Sequence, residues 1–339
     1  MRVLVTGGAG YLGSTLVPML LGEGHDVTVV DRFFFGDDTL PKSGAGTRLT
    51  KIRADVRWCD GKILENHDAV VDMAALSNDP AGALDPWKTY EINYLGRSRI
   101  ARLAKEAHVQ RYVATSSCSV YGFQDGWLTE DSTPNPLTAY AQANILVEQD
   151  NLPLGSEDFA TTAVRFATLY GLSPRMRFDL AINGMVAGAL KSGKIPVMRD
   201  GKQWRPFLHV RDAARAILLL LSSDPRRVNR QIFNVGSEEQ NFQIRPLAQL
   251  VSAAMQSPPE VEWYGDPDSR SYRVSFAKVR STLGYSPQLG PTDAVREIES
   301  ALRTGATTPS ARTSTVGWYQ HLLQDPSDGA SVALHGTIL

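Results

Sequence analysis

The stretch TGGAGYLG, Thr6 to Gly13, sits between an apolar run, Arg2 to Thr6, and an amphipathic one, Tyr11 to Glu23. Its glycines Gly7, Gly10 and Gly13 recur at every third position. Glycine permits positive φ in a tight turn and lets the backbone approach a pyrophosphate, and the N-terminus of the helix that follows faces the anion. A glycine-rich turn alone is a weak signal, but this one lies between a first strand and a first helix, where the mechanism needs it. The stretch therefore predicts a strand, turn and helix that bind a dinucleotide, with Gly7, Gly10, Tyr11, Leu12 and Gly13 against the cofactor.

Outward from this turn, short apolar runs alternate with helix-length segments. Val27 to Asp31, Leu49 to Arg53, Ala69 to Met73, Arg111 to Thr115 and Thr161 to Phe166 read as further strands. Pro86 to Ala107 and Thr138 to Asn151 read as helices, the former with Ile92, Leu95, Ile100 and Leu103 near helical spacing. Repeated βαβ units predict an α/β fold, a Rossmann-type doubly wound parallel sheet over residues 1–171. After Gly171 the elements shorten and Pro and Gly mark the junctions, which reads as a smaller C-terminal α/β substrate lobe over 172–310. Residues 206–235, with a strand at Gln231 to Val235, are placed to return to the first domain. Residues 311–339 read as an irregular tail docked by Trp318 and Tyr319.

Asp31 ends the second strand, 18 residues past Gly13, where a carboxylate accepts from the adenosine ribose hydroxyls, so NAD is favoured over NADP. Arg32, next in the chain, is the alternative, a partner for a 2′-phosphate. Asp55 and Val56 suit the adenine, with an aspartate helix cap as the competing account. Ala74 and Ala75, at the end of the fourth strand, leave room for the cofactor's ribose and nicotinamide. Lys and Arg total 35 against 36 Asp and Glu, so no broad positive field exists to hold nucleic acid or an anionic membrane. No apolar run approaches a membrane span or a signal peptide's core. Two cysteines, Cys59 and Cys118, provide neither a disulfide framework nor a metal spacing, and the six histidines show no ligand pairing. A cytoplasmic, metal-free protein is expected.

The fifth strand runs into Ser116-Ser117-Cys118-Ser119-Val120-Tyr121-Gly122, at the sheet edge where open α/β folds bind ligands. Tyr140 opens the helix TAYAQANILVEQ. With TGGAGYLG, MAALSND, RFATLYG and RPFLHVRD in order, the chain resembles the extended short-chain dehydrogenase/reductase family of nucleotide-sugar epimerases, dehydratases and reductases, in particular its UDP-galactose 4-epimerase-like group. The likeness runs from Arg2 to about Leu302. It implies that Ser117 and Tyr140 share hydrogen bonds with a sugar hydroxyl or carbonyl and that Tyr140 moves the proton while the nicotinamide exchanges hydride. It also implies that Ser116 and Tyr140 touch the cofactor.

Position 144, where the family carries Lys, is Asn144, which can bond the nicotinamide ribose but brings no charge to help ionise a phenol of pKa ~10. Three readings follow: an enzyme relying on the positive charge of the oxidised nicotinamide, a slow or specialised enzyme, or a substituted form of an active parent. Introducing Lys at 144 is then expected to raise turnover near neutral pH. Cys118 and Ser119 stand where dehydratases of the family place an acidic pair, which argues against 4,6-dehydration. Both are candidates for the substrate side, with Cys118 read also as a packing residue.

For the substrate, the resemblance points Asn183 at a diphosphate, with a solvated helix face as its alternative, and points Arg205 at the diphosphate or ribose. Arg270 reads as a second clamp, with Arg273 as the alternative for that role and a surface charge as the competing account. His209 reads as structural. The expected substrate is a nucleotide-diphosphate sugar, handled by NAD-dependent oxidation to a keto intermediate and most simply epimerised, in a homodimer paired through helices near 88–107 and 138–152. A keto-sugar or natural-product ketone reductase is the alternative, and a non-catalytic dinucleotide-binding protein is the second.

Overall fold

The computed structural model describes residues 1–44, 46–198, 200–266 and 270–339. In chain order, β1 (Arg2–Thr6) passes through the glycine turn into α1 (Gly13–Gly22), followed by β2 (Asp26–Asp31), β3 (Leu49–Arg53) and β4 (Ala69–Asp72). Next come α2 (Asp79–Gly82) and α3 (Pro86–Tyr90), which a π-helical turn, Glu91–Gly96, joins to α4 (Arg97–Glu106). β5 (Arg111–Ser117), β6 (Phe123–Leu128), α5 (Ala139–Asn151), β7 (Ala160–Phe166) and β8 (Thr168–Tyr170) follow. The later chain supplies α6 (Ala181–Ser192), β9 (Lys194–Met198), β10 (Trp204–His209), α7 (Val210–Ser222), α8 (Pro225–Val228) and β11 (Gln231–Val235). It ends with β12 (Asn241–Gln243), α9 (Ile244–Ala254), β13 (Glu260–Tyr264), β14 (Ser271–Val274), α10 (Ala277–Leu283), α11 (Pro291–Arg303), α12 (Thr315–Gln324) and α13 (Pro326–Val332).

The main sheet has seven strands in the order β11-β7-β5-β4-β1-β2-β3, and its pairs are parallel. A parallel sheet sends alternate side chains to opposite faces and needs both faces covered. In β1, Val3 and Val5 join a core shared with α1 and α7, whereas Leu4 joins one shared with α4. Val29 and Val30 of β2 divide the same way, as do Val71 and Val70 of β4. Strand order reverses at β1, whose two neighbours are β2 and β4, so a crevice opens past their C-terminal ends. β11, from the later chain, lies beside β7.

A separate apolar core runs from Ile182 and Met185 of α6 through Ile195, Phe207, Leu247 and Val295. Two sequence expectations need correction. The 86–107 helix is interrupted by the π turn, and its buried stripe is Asn93, Arg97, Ile100, Ala101 and Ala104, while Leu95 is exposed. The extra residue of a π turn advances the phase of everything after it, which moves Arg97 inward. The tail is not irregular either: α12 and α13 form, and Trp318 and Tyr319 bury against Leu76 and Ala81. Among the described residues no helix is long and apolar enough to cross a membrane.

Candidate functional site

A cavity of about 680 Å³ occupies the crevice, lined by Gly7, Gly10, Tyr11, Leu12 and Gly13 at one end and by Arg205 and Arg270 at the other. Gly7 turns with φ +68°, and a Cβ there would stand 2.9 Å from the backbone of Ala74, so the glycine turn lies directly on the end of β4. A Cβ on Gly13 would come within 2.5 Å of the Gly8 carbonyl oxygen, which closes this position to any larger residue. The Tyr11 hydroxyl donates to the Gly171 carbonyl at 2.6 Å, and the Ser173 hydroxyl donates to the Tyr11 carbonyl at 2.7 Å. The head of α1 is thereby stapled to the segment that enters the second lobe.

That staple delivers a residue the sequence reading missed. Arg175 donates its backbone N–H to the Ser14 hydroxyl at 3.2 Å, and its guanidinium lines the cavity 3.6 Å from the centre of the Phe35 ring. One nitrogen donates to Thr315 at 3.0 Å, but Nε is buried without a partner. No carboxylate among the described residues forms an ion pair with Arg175. Burial, with Arg177 nearby, brings its pKa down to about 10. A buried, unpaired cation beside a glycine turn fits an incoming pyrophosphate. The arginines of LSPRMRFD, two apart just past a strand, were the available signal.

At the adenosine end, Asp31 lines the cavity, and its carboxylate accepts from the N–H groups of Ala9 at 2.9 Å and Phe33 at 2.7 Å. Burial raises its pKa against those bonds. Arg32 lines the same end, but its two Nη atoms are committed elsewhere, to Asp55 at 2.5 Å and to the carbonyls of Val332, Thr337 and Ile338 at 2.9–3.0 Å, while its Nε is buried without a partner. The tail thus occupies the arginine that the NADP alternative required. Asp55 corrects the expectation of an adenine acceptor. Its oxygens take four hydrogen bonds, from Arg32 and from the side chain and backbone of Arg57, which fills a carboxylate's acceptor capacity. Those bonds outweigh burial and hold its pKa low. Val56, Ala74 and Ala75 line the cavity.

The reacting end gathers Ser117, Ser119, Tyr140 and Asn144 on one wall. Thr138 caps α5 by accepting from the Ala141 N–H at 3.1 Å, and this sets Tyr140 in the first turn. Burial, then the Asp79 carboxylate, push the Tyr140 phenol above its ordinary value, while the neighbouring Asn144 amide, the charge of Arg97 and the Ser117 hydroxyl oppose them. The Ser117 hydroxyl accepts from the Ser119 N–H at 3.1 Å. Ser119 Oγ is buried, unpaired and part of the cavity wall. The hydroxyl of Ser116 donates its proton to Glu148 at 2.6 Å, so toward a cofactor it can only accept.

Two substrate-side expectations fail. Cys118 lies outside the cavity wall, donates to the Arg165 carbonyl at 3.3 Å, and has its thiol pushed far up by burial, so it is a packing residue. Asn183 is fully buried and spends its amide on Gly171, Tyr11 and Arg177, which fixes the lobe junction and leaves nothing for a diphosphate. Arg205 lies 5.1 Å over the Tyr272 ring and donates to the Arg270 carbonyl, and Arg270 pairs with Asp79. Arg273 instead stacks on Trp127 and Trp204 away from the cavity wall, which separates it from Arg270. His209 is buried against Glu297 at 2.7 Å, in the structural role expected of it.

Comparison with known proteins agrees with this geometry. The family model described as the NAD dependent epimerase/dehydratase family matches residues 3–236. UDP-glucose 4-epimerase of Mycolicibacterium smegmatis is 28% identical over 313 residues, covering 89% of this chain and 99% of its own. UDP-glucuronic acid decarboxylase 1 of Arabidopsis thaliana is 28% identical over 321 residues, covering 89% of this chain and 70% of its own. Among solved structures, MoeE5 in complex with UDP-glucuronic acid and NAD is similar with a TM-score of 0.79 at 29% identity, over 90% of this chain and 100% of that one.

Proposed function

The chain belongs to the NAD dependent epimerase/dehydratase family, and from this premise we propose that it is an NAD-dependent enzyme that epimerises a nucleotide-diphosphate sugar through a keto intermediate. The observation that carries the reading is one cavity holding the glycine turn, the Tyr140 and Ser117 pair, and two arginines at its far end. The residues suit NAD: Arg175 waits for a pyrophosphate, and Arg32 is withheld from any 2′-phosphate. Bound there, NAD supplies reversible hydride acceptance.

The chain's own part is proton handling and grip. Tyr140 takes the proton of the sugar hydroxyl being oxidised, and Ser117 bonds the same oxygen and steadies it as it becomes a carbonyl. Arg205 and Arg270 oppose the diphosphate with fixed guanidinium groups. Return of the hydride to the opposite face of the carbonyl carbon, with Tyr140 giving its proton back to the oxygen, completes epimerisation. An eliminated water would need an acid and a base beside Ser117, and Cys118 and Ser119 supply neither. The exposed Trp87 and Leu95, on the helices that would meet a second copy, support the homodimer as part of the same reading.

The test is to incubate the protein with UDP-, GDP- and dTDP-sugars and analyse the products by mass spectrometry and NMR. An isomer of unchanged mass is expected. A product differing by a pair of hydrogens, formed with net consumption of dinucleotide, would replace epimerisation with reduction or dehydrogenation.

A further inference from the structure

The reacting phenol has a neutral neighbour one turn along its own helix, so any fixed positive charge that helps it ionise must come from another element. Arg97 is that charge. It opens α4 directly after the π turn and is 1% exposed. Its Nε donates to Asp72 at 2.7 Å, Nη2 to the carbonyls of Asp72 at 3.0 Å and Thr115 at 2.7 Å, and Nη1 to Asn144 Oδ1 at 3.4 Å. A guanidinium has donors only, so Asn144 must turn its oxygen to Arg97 and its NH2 group away. That nitrogen is buried and makes no hydrogen bond within the protein.

We propose that Arg97 and Asn144 together replace a cation beside Tyr140, Arg97 carrying the charge and fixing the amide while Asn144 presents its N–H group to the phenol. Arg97 acts through Asn144 and is a positioning residue. The groups facing the phenol come from four elements. Asp79, at the head of α2, opposes ionisation and is itself paired with Arg270 and Thr138. Ser117 at the end of β5, Asn144 of α5 and Arg97 of α4 favour it. Behind Arg97, Asp72 is held by Tyr112 at 2.7 Å and Thr6 at 2.6 Å as well, so it anchors the guanidinium with its charge shared among three donors.

The proposal rests on Tyr140 being the proton carrier, and a titration that needs no substrate tests it separately from the choice of sugar. The phenolate absorbance of the NAD-loaded protein, less that of Y140F, reports this one tyrosine. N144D, which keeps the Arg97 anchor but cancels its charge and removes the donor, should raise the phenol's pKa by about one unit or more. R97Q/D72N removes both charges without stranding Asp72 and should raise it similarly. With an active sugar, the acid-side limb of kcat/KM moves up in parallel, and adding N144K to R97Q/D72N restores it. N144K by itself brings no gain, because the charge is already present, which reverses the expectation drawn from the sequence. An unmoved phenol in folded, NAD-binding N144D or R97Q/D72N overturns the proposal, and so does a gain from N144K alone. Shifted titrations with no turnover of any sugar would leave it standing and overturn the epimerase reading instead.

Discussion

Two arginines are buried in the same cavity wall under opposite terms. Arg97, at the reacting end, is paired to Asp72 and bonded at nearly every donor, whereas Arg175, at the dinucleotide end, has no carboxylate partner among the described residues and an unpaired Nε. Burial presses against both cations, but the carboxylate partner reverses the outcome: the Arg97 pKa is held above its ordinary value, and that of Arg175 falls to about 10. A compensated charge is a permanent part of the fold. An uncompensated one is held for an anion that arrives later, and until then it costs stability.

The comparison depends first on the phenol that the reacting end serves. Tyr140→Phe removes the proton carrier without touching the glycine turn, so kcat should fall by about 10²–10⁴-fold. NAD affinity, read by calorimetry, should stay within a few-fold of the parent. A variant that kept most of its turnover would deprive Arg97 of its purpose and end the contrast.

Stability separates the two arginines next. Arg97→Met strands a buried aspartate and should cost about 3–5 kcal/mol in NAD-free denaturant unfolding. Arg175→Met removes a cation with no ion-pair partner among the described residues and should be neutral or stabilising by about 1 kcal/mol under the same conditions. Equal losses from the two would mean that Arg175 has a structural role after all.

With NAD present the order for Arg175 inverts. Losing a charge-assisted bond to the pyrophosphate removes about 1.5–3 kcal/mol of binding, so Arg175→Met should weaken NAD roughly 10- to 100-fold. The added stability that NAD confers on the parent should shrink accordingly. Unchanged affinity would place the pyrophosphate beyond the guanidinium's reach.

The same contrast explains what could be read from the chain alone. The glycine turn, the alternating strands and the Ser117 and Tyr140 spacing are local patterns, and each declares itself within a few residues. Arg97 does not. In a helix pattern an arginine reads as a solvated face, and the π turn that brings it inward leaves no mark in apolar periodicity. Arg175 depends on contacts with Ser14 and Phe35, more than a hundred residues away in sequence. Asn183 erred in the opposite direction: the resemblance put its amide near a diphosphate, and only the fold shows Tyr11 and Gly171 occupying it. Asp55 likewise looked free because neither Arg32 nor Arg57 announces a partner in sequence.

The smallest expected effect concerns Arg32, an arginine in the dinucleotide end that is paired with a carboxylate as Arg97 is, although burial still holds its pKa below the ordinary value and its Nε has no partner. Asp55 keeps Arg57 at 2.8 Å when Arg32 is removed, so Arg32→Ala should fold, losing mainly the bonds that hold the tail. Because those carbonyls and Asp55 already hold both Nη atoms, the preference for NAD over NADP should change by less than about threefold, less than one charge-assisted bond is worth. A guanidinium that met a 2′-phosphate would instead leave its mark as a tenfold or greater loss of NADP binding upon removal. That result would show the tail releasing Arg32 when cofactor enters, and the adenosine end would then hold a second cation kept for an arriving anion.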